Sequence, residues 1–132
     1  MGKPLVMTKE SFQIEYILKK GSASLLWKLI STPSGLAEWF ADDVDQREDV
    51  YTFYWDKTPQ SAERISQNQG HYIRFHWEDE PDTYYFEMRI EQSDLTGDTV
   101  LRITDFAESS ELNSSIELWN TQIDILARRT GL

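Results

Sequence analysis

The feature that most constrains this fold is a change of hydrophobic period near the end of the 132-residue chain. Before residue 107, apolar and polar side chains alternate in short runs, which is the pattern of half-buried strands. After it, apolar residues recur at helical spacing on one stripe, namely Leu112, Ile116, Trp119, Ile123 and Leu126. Polar residues occupy the opposite face, and Gly131 follows as a stop signal. A sheet with one apolar face and a helix with one apolar stripe bury both by packing together, which predicts an α+β fold.

Turn residues divide the alternating region into a series of predicted strands. The acidic segment Asp42–Asp49 is expected to be a loop or an edge strand. The other strands are predicted at Phe12–Leu18, Val50–Trp55, Ser61–Gln67, His71–Trp77, Tyr84–Glu91 and Thr99–Phe106. Short strands about ten residues apart indicate an antiparallel meander.

Two short helices are predicted after the first strand. A break at Gly21-Ser22 ends that strand, and Ser22 is a suitable N-cap for a helix over Ala23–Ile30. Pro33 suits the first position of a second helix that covers Ser34–Trp39. With no repeat and no long linker, residues 1–132 are expected to form a single domain.

Composition excludes several classes of function. The chain has 13 Lys and Arg against 23 Asp and Glu, for a net charge of −10, which disfavours nucleic acid and anionic membranes as partners. There is no Cys and hence no disulfide or thiolate chemistry. No apolar run approaches a membrane span, and residues 1–7 lack the apolar stretch of a secretory signal. We therefore expect a cytoplasmic protein without membrane insertion.

Motifs of catalysis and cofactor binding are missing from the sequence. It contains no G-x-S-x-G, no G-x-G-x-x-G, no phosphate-binding loop and no H-E-x-x-H. His71 and His76 are five apart on one predicted strand and would point to opposite faces, so they cannot chelate one metal together. The acidic residues 42–45 lack the Gly and Glu of an EF-hand. We predict no catalytic residues, no cofactor and no metal.

One run of residues resembles a known family. Residues 32–40 read TPSGLAEWF, and this Pro, Gly-Leu and Trp-Phe spacing is similar to that of START-like domains related to activators of the heat-shock protein 90 ATPase. The predicted helix at 23–30 and the stripe that contains Trp119 also resemble elements of that family, so the resemblance extends from Phe12 to Leu126. At one point the chain departs from the pattern, because Glu48-Asp49 stands where the family usually has Gly-Gly.

The resemblance implies the helix-grip fold of the birch-allergen-like superfamily, in which a curved antiparallel sheet wraps around a long C-terminal helix. It also implies a cleft between them that binds apolar molecules. The predicted lining residues are Phe53, Trp55, Phe75, Tyr84, Phe86, Met88, Trp119 and Ile123. Tyr84 shares the alternation of Phe86 and Met88 and is the predicted polar group of the cleft. The alternative for such an aromatic stripe is plain core packing.

Three functions follow as hypotheses. The first is a non-enzymatic domain that binds an apolar or amphipathic small molecule, lipid-like or aromatic. The second is a protein-interaction domain of the chaperone-cofactor kind, whose acidic loops meet a basic partner. The third is an enzyme of the polyketide cyclase or aromatase type. Exposed Tyr72 and Tyr85 are compatible with a homodimer as well as with a monomer.

Two orientations on the predicted sheet complete the expectations. Glu87 and Arg89 alternate with the apolar residues of their strand and are predicted to form cross-strand ion pairs on its outer face. The facing of Arg102 depends on strand register, which the alternation leaves open. His71 shares the face of Ile73, Phe75 and Trp77 and would either present a polar group to the cleft or lie at the strand end near a turn.

Overall fold

A seven-stranded sheet is the main element of the computed structural model, which describes residues 8–18 and 22–132. Neighbouring strands are antiparallel throughout. In chain order they are β1 (Glu10–Leu18), β2 (Asp43–Arg47), β3 (Val50–Trp55), β4 (Thr58–Asn68), β5 (Tyr72–Trp77), β6 (Phe86–Gln92) and β7 (Thr99–Ala107). The spatial order is β1-β7-β6-β5-β4-β3-β2, so a meander from β2 to β7 is completed by the first strand.

Three helices accompany the sheet. They are α1 (Ala23–Ser31), α2 (Pro33–Leu36) and the long α3 (Leu112–Thr130), which follows a 3-10 turn at Ser109–Glu111. The predicted caps are present, because the Ser22 hydroxyl accepts a hydrogen bond from the Leu25 backbone N–H and Gly131 ends α3 at φ 76°. The predicted α+β class and helix order are therefore confirmed. Gly21 and residues 1–7 lie outside the described residues.

The second helix is shorter than predicted, ending at Leu36 rather than Trp39. Residues 37–40 continue as turns, with the Phe40 N–H donating to the Leu36 carbonyl. This path lets the Trp39 indole Nε1 donate to the Leu29 carbonyl of α1 at 2.8 Å. The deviation from a regular helix thus anchors the connection against α1.

Strand boundaries differ from the prediction at tight turns. The acidic segment forms the edge strand β2, and β4 starts at Thr58 because the preceding turn takes only two residues. Those residues, Asp56 and Lys57, have φ of 49° and 68°, and Glu48 has 55° in the β2–β3 turn. Left-handed backbone at these positions matches the twist of hairpin turns without any glycine.

The concave face of the sheet carries a filled aromatic core. Tyr51, Phe53, Phe75 and Met88 are 0% exposed, and Phe86 is 1% exposed. They pack as a contiguous set of rings, with the Phe75 and Phe86 centroids 5.1 Å apart. From the other side the core is closed by α1, α2 and the α3 residues Trp119, Ile123 and Leu126. The centre of the fold is therefore solid.

The convex face carries ion pairs instead. Glu87 is 5% exposed and accepts hydrogen bonds from Arg74 on β5 and from Arg89 on its own strand. The two guanidinium groups lie over Tyr85 and Tyr72, at 4.1 and 4.3 Å from the ring centroids. The outer-face position of Glu87 and Arg89 is as predicted. Glu87 forms the expected cross-strand pair with Arg74 of β5, whereas Arg89 pairs with Glu87 within its own strand.

Register also decides the two orientations that alternation left open. Arg102 is on the convex face, where it pairs with Glu15 and Glu91 at 2.9 Å each. His71 is exposed and lies in the turn before β5, outside the strand. In the part of the chain that the structure describes, no helix combines the length and apolarity needed to cross a membrane.

Gly35 allows α2 to contact α1 closely. A Cβ atom at this position would lie 2.0 Å from the Lys28 carbonyl oxygen and 2.7 Å from the Leu29 Cα. Both are backbone atoms, so no side-chain rotation would relieve the overlap. The approach of α2 to α1, and with it the path of residues 37–40, depends on glycine here.

Substitution of Gly35 by Ala should therefore separate the two helices. We expect Gly35→Ala to lower the free energy of unfolding by about 2–3 kcal/mol, the cost of overpacking, in urea titrations followed by circular dichroism. Ser34→Ala, an exposed change in the same helix, is the matched control and should stay within about 0.5 kcal/mol of the parent. Equal stability of the two variants would contradict this account.

The Glu87 cluster generates a pH-dependent prediction. Burial alone would raise the pKa of Glu87, but hydrogen bonds and charge from Arg89 and Arg74 outweigh it and lower the pKa below 4.5. The ionised carboxylate thus contributes stability that is complete above pH 4.5 and is lost as pH falls through the lower native pKa.

We expect Glu87→Gln to lose about 1–3 kcal/mol of unfolding free energy at pH 7, because two charge-assisted hydrogen bonds weaken. The difference from wild type should shrink in titrations at progressively lower pH below 4.5. Glu117→Gln, exposed on α3, is the control and should show neither the loss nor the pH dependence. A Glu87→Gln deficit that is independent of pH would refute the ion-pair explanation.

Candidate functional site

A solvent-open groove of about 350 Å³ lies between the sheet and α3. We call it the aromatic groove, and its lining residues are Phe40, Trp55, Gln60, Trp77, Asp105, Leu118, Trp119 and Gln122. It is the unfilled end of the sheet–helix interface, since the core residues further in leave no free surface. Its size and mixed lining are those of a small-molecule site.

The sheet wall of the groove consists of two half-buried tryptophans. Trp55 ends β3 and Trp77 ends β5, on either side of β4. Their ring centroids are 6.1 Å apart, and each ring also packs on Phe53, at 5.9 and 5.6 Å. The core thus fixes both indoles while part of each stays accessible.

Phe40 connects this wall to the helix. Its carbonyl oxygen accepts hydrogen bonds from Trp55 Nε1 at 2.9 Å and from Gln122 Nε2 of α3 at 3.0 Å. Its ring lies 5.7 Å from the ring of Trp119. One residue of the α2–β2 connection therefore holds the strand and the helix that border the groove at a fixed separation.

The helix wall of the groove includes an apolar side chain that is largely exposed to solvent. Leu118 is 61% exposed and projects beside Trp119, which is only 5% exposed. An adjoining hollow of about 370 Å³ shares Phe40, Trp55, Leu118 and Gln122 with the groove. It extends past Ala37–Asp42 toward Arg129 of α3, so the two hollows form neighbouring parts of one depression.

Asp105 places a carboxyl group in the aromatic groove. Its Oδ2 accepts from Trp119 Nε1 at 2.9 Å, and its Oδ1 accepts from the Phe106 backbone N–H at 2.8 Å. Burial raises the pKa of Asp105 to about 6, although these two hydrogen bonds act in the opposite direction. Nearby Glu80 raises it further and Lys9 lowers it, and those two residues form an ion pair of 2.7 Å.

The structure brings only some of the predicted lining residues to the groove. Trp55 and Trp119 border it directly. Beneath the surface, fully buried in the core, lie Phe53, Phe75, Phe86, Met88 and Ile123. These five support the walls and present almost no surface to a ligand. For these five residues the structure shows plain core packing, which is the alternative to a ligand-lining role.

Tyr84 lies elsewhere, contrary to the alternation that grouped it with Phe86 and Met88. Strand β6 begins at Phe86, so the strand period does not extend back to Tyr84. The Tyr84 hydroxyl accepts a hydrogen bond from the Lys9 backbone N–H at 3.1 Å, and its ring packs on Phe106 at 5.4 Å. Asp105, rather than Tyr84, is the ionisable polar group of the groove.

The sequence contained a usable signal for Asp105. It shares strand parity with Leu101 and Ile103 of β7, so alternation places its carboxyl group on the concave face. Leu118 and Gln122 carried no such signal, because each lies off the apolar stripe of α3. Their role depends on where the helix crosses the sheet.

The two histidines lie at different places relative to β5, with His71 in the turn before the strand and His76 within it. His76 Nδ1 is 2.7 Å from the Tyr84 carbonyl oxygen, and its Nε2 is 3.6 Å from Asp82. Within residues 8–18 and 22–132 no three His, Asp or Glu side chains are arranged to hold a metal ion. The acidic loop residue Asp42 instead accepts a hydrogen bond from the Asp56 N–H, which secures a turn.

Solved structures share this architecture. The solution structure of BfR322 from Bacteroides fragilis is 41% identical, with a TM-score of 0.66, over 92% of this chain and 91% of that one. An Aha1 dimer from Colwellia psychrerythraea is 13% identical, with a TM-score of 0.74, over 92% and 98%. CalU16 from Micromonospora echinospora is 19% identical, with a TM-score of 0.64, over 88% and 71%.

Sequence comparison agrees with the fold. No curated protein matches the chain. Residues 6–132, however, match the family model of the START-like superfamily domain, and the resemblance inferred from residues 32–40 is thereby confirmed. The chain belongs to the START-like superfamily.

Proposed function

We propose that this START-like domain binds a small apolar or amphipathic molecule in the aromatic groove. The observation that carries the proposal is the combination of half-buried Trp55 and Trp77 with Leu118, which is 61% exposed on the facing helix. Two opposed apolar walls leave room for a flat or branched hydrocarbon between them. A ligand there would remove apolar surface from water on both sides.

The filled core limits what can bind. Because Phe53, Phe75 and Met88 are 0% exposed, a ligand occupies the end of the sheet–helix interface and does not enter its centre. A volume of about 350 Å³ accommodates a compact molecule of up to three aromatic rings or a short branched chain. The proposed ligand is therefore compact, and a long acyl chain would extend into solvent.

The groove supports binding rather than catalysis. Among its lining residues Asp105 is the ionisable one, and both of its oxygens already accept hydrogen bonds. Acid–base or nucleophilic catalysis needs a second reactive group within reach. His76, the nearest candidate type on β5, is held by the Tyr84 carbonyl outside the groove lining.

A protein partner is the second hypothesis for the same surface. Exposed apolar side chains such as Leu118 can also contact another protein, as in a chaperone cofactor. The two hypotheses differ in whether a second protein is needed. A small-molecule site binds its ligand on the isolated chain, whereas the second hypothesis requires a partner protein.

N-phenyl-1-naphthylamine, a neutral dye that fluoresces in apolar surroundings, is a suitable probe. At about 0.3 kcal/mol per non-hydrogen atom, we expect a Kd on the order of 0.1 mM. The dye is therefore held at low concentration and the protein is titrated. We expect a saturable fluorescence increase and shifts of the Trp55 and Trp119 indole N–H resonances in NMR spectra.

Leu118→Gln should weaken dye binding about tenfold, the effect of losing roughly 1.4 kcal/mol of apolar contact. Ile17→Gln is the matched control, because Ile17 is also 61% exposed but lies on β1 away from the groove. Its affinity should equal that of the parent. Absence of saturable binding, or equal weakening by both substitutions, would exclude the groove as the binding site.

A further inference from the structure

The Asp105 carboxylate is the charged group among the lining residues of the aromatic groove. Each of its oxygens accepts one hydrogen bond from the protein, from Trp119 Nε1 at 2.9 Å and from the Phe106 N–H at 2.8 Å, and each keeps a lone pair for a further donor. Two other N–H groups at the groove, Trp55 Nε1 and Gln122 Nε2, already donate to the Phe40 carbonyl oxygen at 2.9 and 3.0 Å. A ligand with positive charge or a donor group is therefore one that Asp105 would hold.

Aromatic faces and a carboxylate together are the chemistry that binds organic cations. Indole gives the strongest cation–π attraction among the aromatic side chains, and the attraction grows where water is excluded. Three tryptophans and Phe40 line the same groove as Asp105. The Asp105 carboxylate accepts a hydrogen bond from Trp119 Nε1 at 2.9 Å, so the charge is in contact with one of these indoles.

We propose that the aromatic groove selects compact organic ammonium ions, with the cationic nitrogen against Asp105 and the apolar body between Trp55, Trp77 and Leu118. This inference rests on the proposed small-molecule function and specifies the ligand class. The expected ligand has an ammonium group attached to one aromatic ring or to a branched alkyl group.

The surrounding charges favour the same sign of ligand. The chain carries a net charge of −10, which attracts cations and repels anions at long range. At close range Glu80 is paired with Lys9, so neither competes as a free charge for the ligand. Arg129, in the adjoining hollow, donates to the Glu38 carbonyl oxygen and remains at the far end of the depression.

The state of Asp105 gives a second line of support. Burial in the groove raises its pKa to about 6, which means that the carboxylate lacks solvation that a bound cation would replace. Above pH 7 the group is ionised and ready to pair. As pH falls through 6 it becomes protonated, and attraction for a cation is lost.

Displacement of N-phenyl-1-naphthylamine by three phenyl compounds of similar size tests charge selection. They are benzyltrimethylammonium, the neutral 2-methyl-1-phenylpropan-2-ol and the anionic 3-phenylpropanoate. At pH 7.5 we expect the cation to bind at least about tenfold more tightly than the alcohol, and the anion to bind most weakly. Equal displacement by all three would overturn the cation proposal and leave the proposed function intact, whereas a dye that never binds would overturn the proposed function itself.

Asp105→Asn isolates the contribution of the carboxylate. This variant should lose most of the preference for the cation over the alcohol while still binding the dye, which also shows that it is folded. Asp94→Asn is the matched control, because it removes the same charge from the turn between β6 and β7, at the other end of those strands from Asp105. A preference that survives in Asp105→Asn, or that falls equally in Asp94→Asn, would refute the assignment.

The wild-type pH profile provides a test that needs no substitution. For a carboxyl of pKa about 6, lowering the pH from 7.5 to 5 should raise the Kd of benzyltrimethylammonium about five- to tenfold. The Kd of the neutral alcohol should not rise. In Asp105→Asn the cation profile should be flat, and a slope that persists in that variant would assign the pH effect to another group.

Discussion

The position of Phe40 is the constraint on which the rest of this structure depends. Its carbonyl oxygen accepts hydrogen bonds from Trp55 of the sheet and Gln122 of α3. Its ring packs on Phe53 of the sheet and on Trp119 of the helix. Phe40 reaches this place because Gly35 lets α2 lie against the backbone of α1 and Trp39 anchors to Leu29. A short connection thus sets the spacing of sheet and helix, and hence the width of the groove between them.

Core and groove divide the aromatic side chains between two roles. Inner rings such as Phe75 and Phe86 fill the sheet–helix interface completely and supply stability. Trp55 and Trp77 continue the same stack to its end, where part of each side chain meets solvent. The charges that give the chain its acidic balance lie mainly elsewhere, in turns and in the ion pairs of the convex face around Glu87. The stable core and the proposed binding site are therefore formed by one continuous set of residues.

Local periodicity was sufficient for most of the fold. Alternation identified the inner faces of β5 and β6, and helical spacing identified Trp119, Ile123 and Leu126 of α3. Alternation placed Tyr84 wrongly, because side chains alternate between the two faces only within a strand and Tyr84 precedes the first residue of β6. Periodicity could not identify Gln122 and Leu118 as groove residues. A helical pattern shows the apolar stripe, but it does not show which element lies opposite the residues on either side of that stripe. Whether the inward aromatic side chains fill the cleft or line an open cavity depends on their total volume relative to the space between sheet and helix. The spacing of residues along the sequence does not contain that volume.

The open side of the groove has a consequence for how occupancy would change with time. Within residues 8–18 and 22–132 nothing covers Leu118, which is 61% exposed, so a ligand of the proposed kind would enter and leave without any movement of the backbone there. Binding of moderate affinity at such a site exchanges rapidly, because release meets no barrier beyond the contacts themselves. The fraction occupied would then follow the free concentration of the ligand from moment to moment. Such a domain is better suited to reporting a concentration than to storing or shielding its ligand.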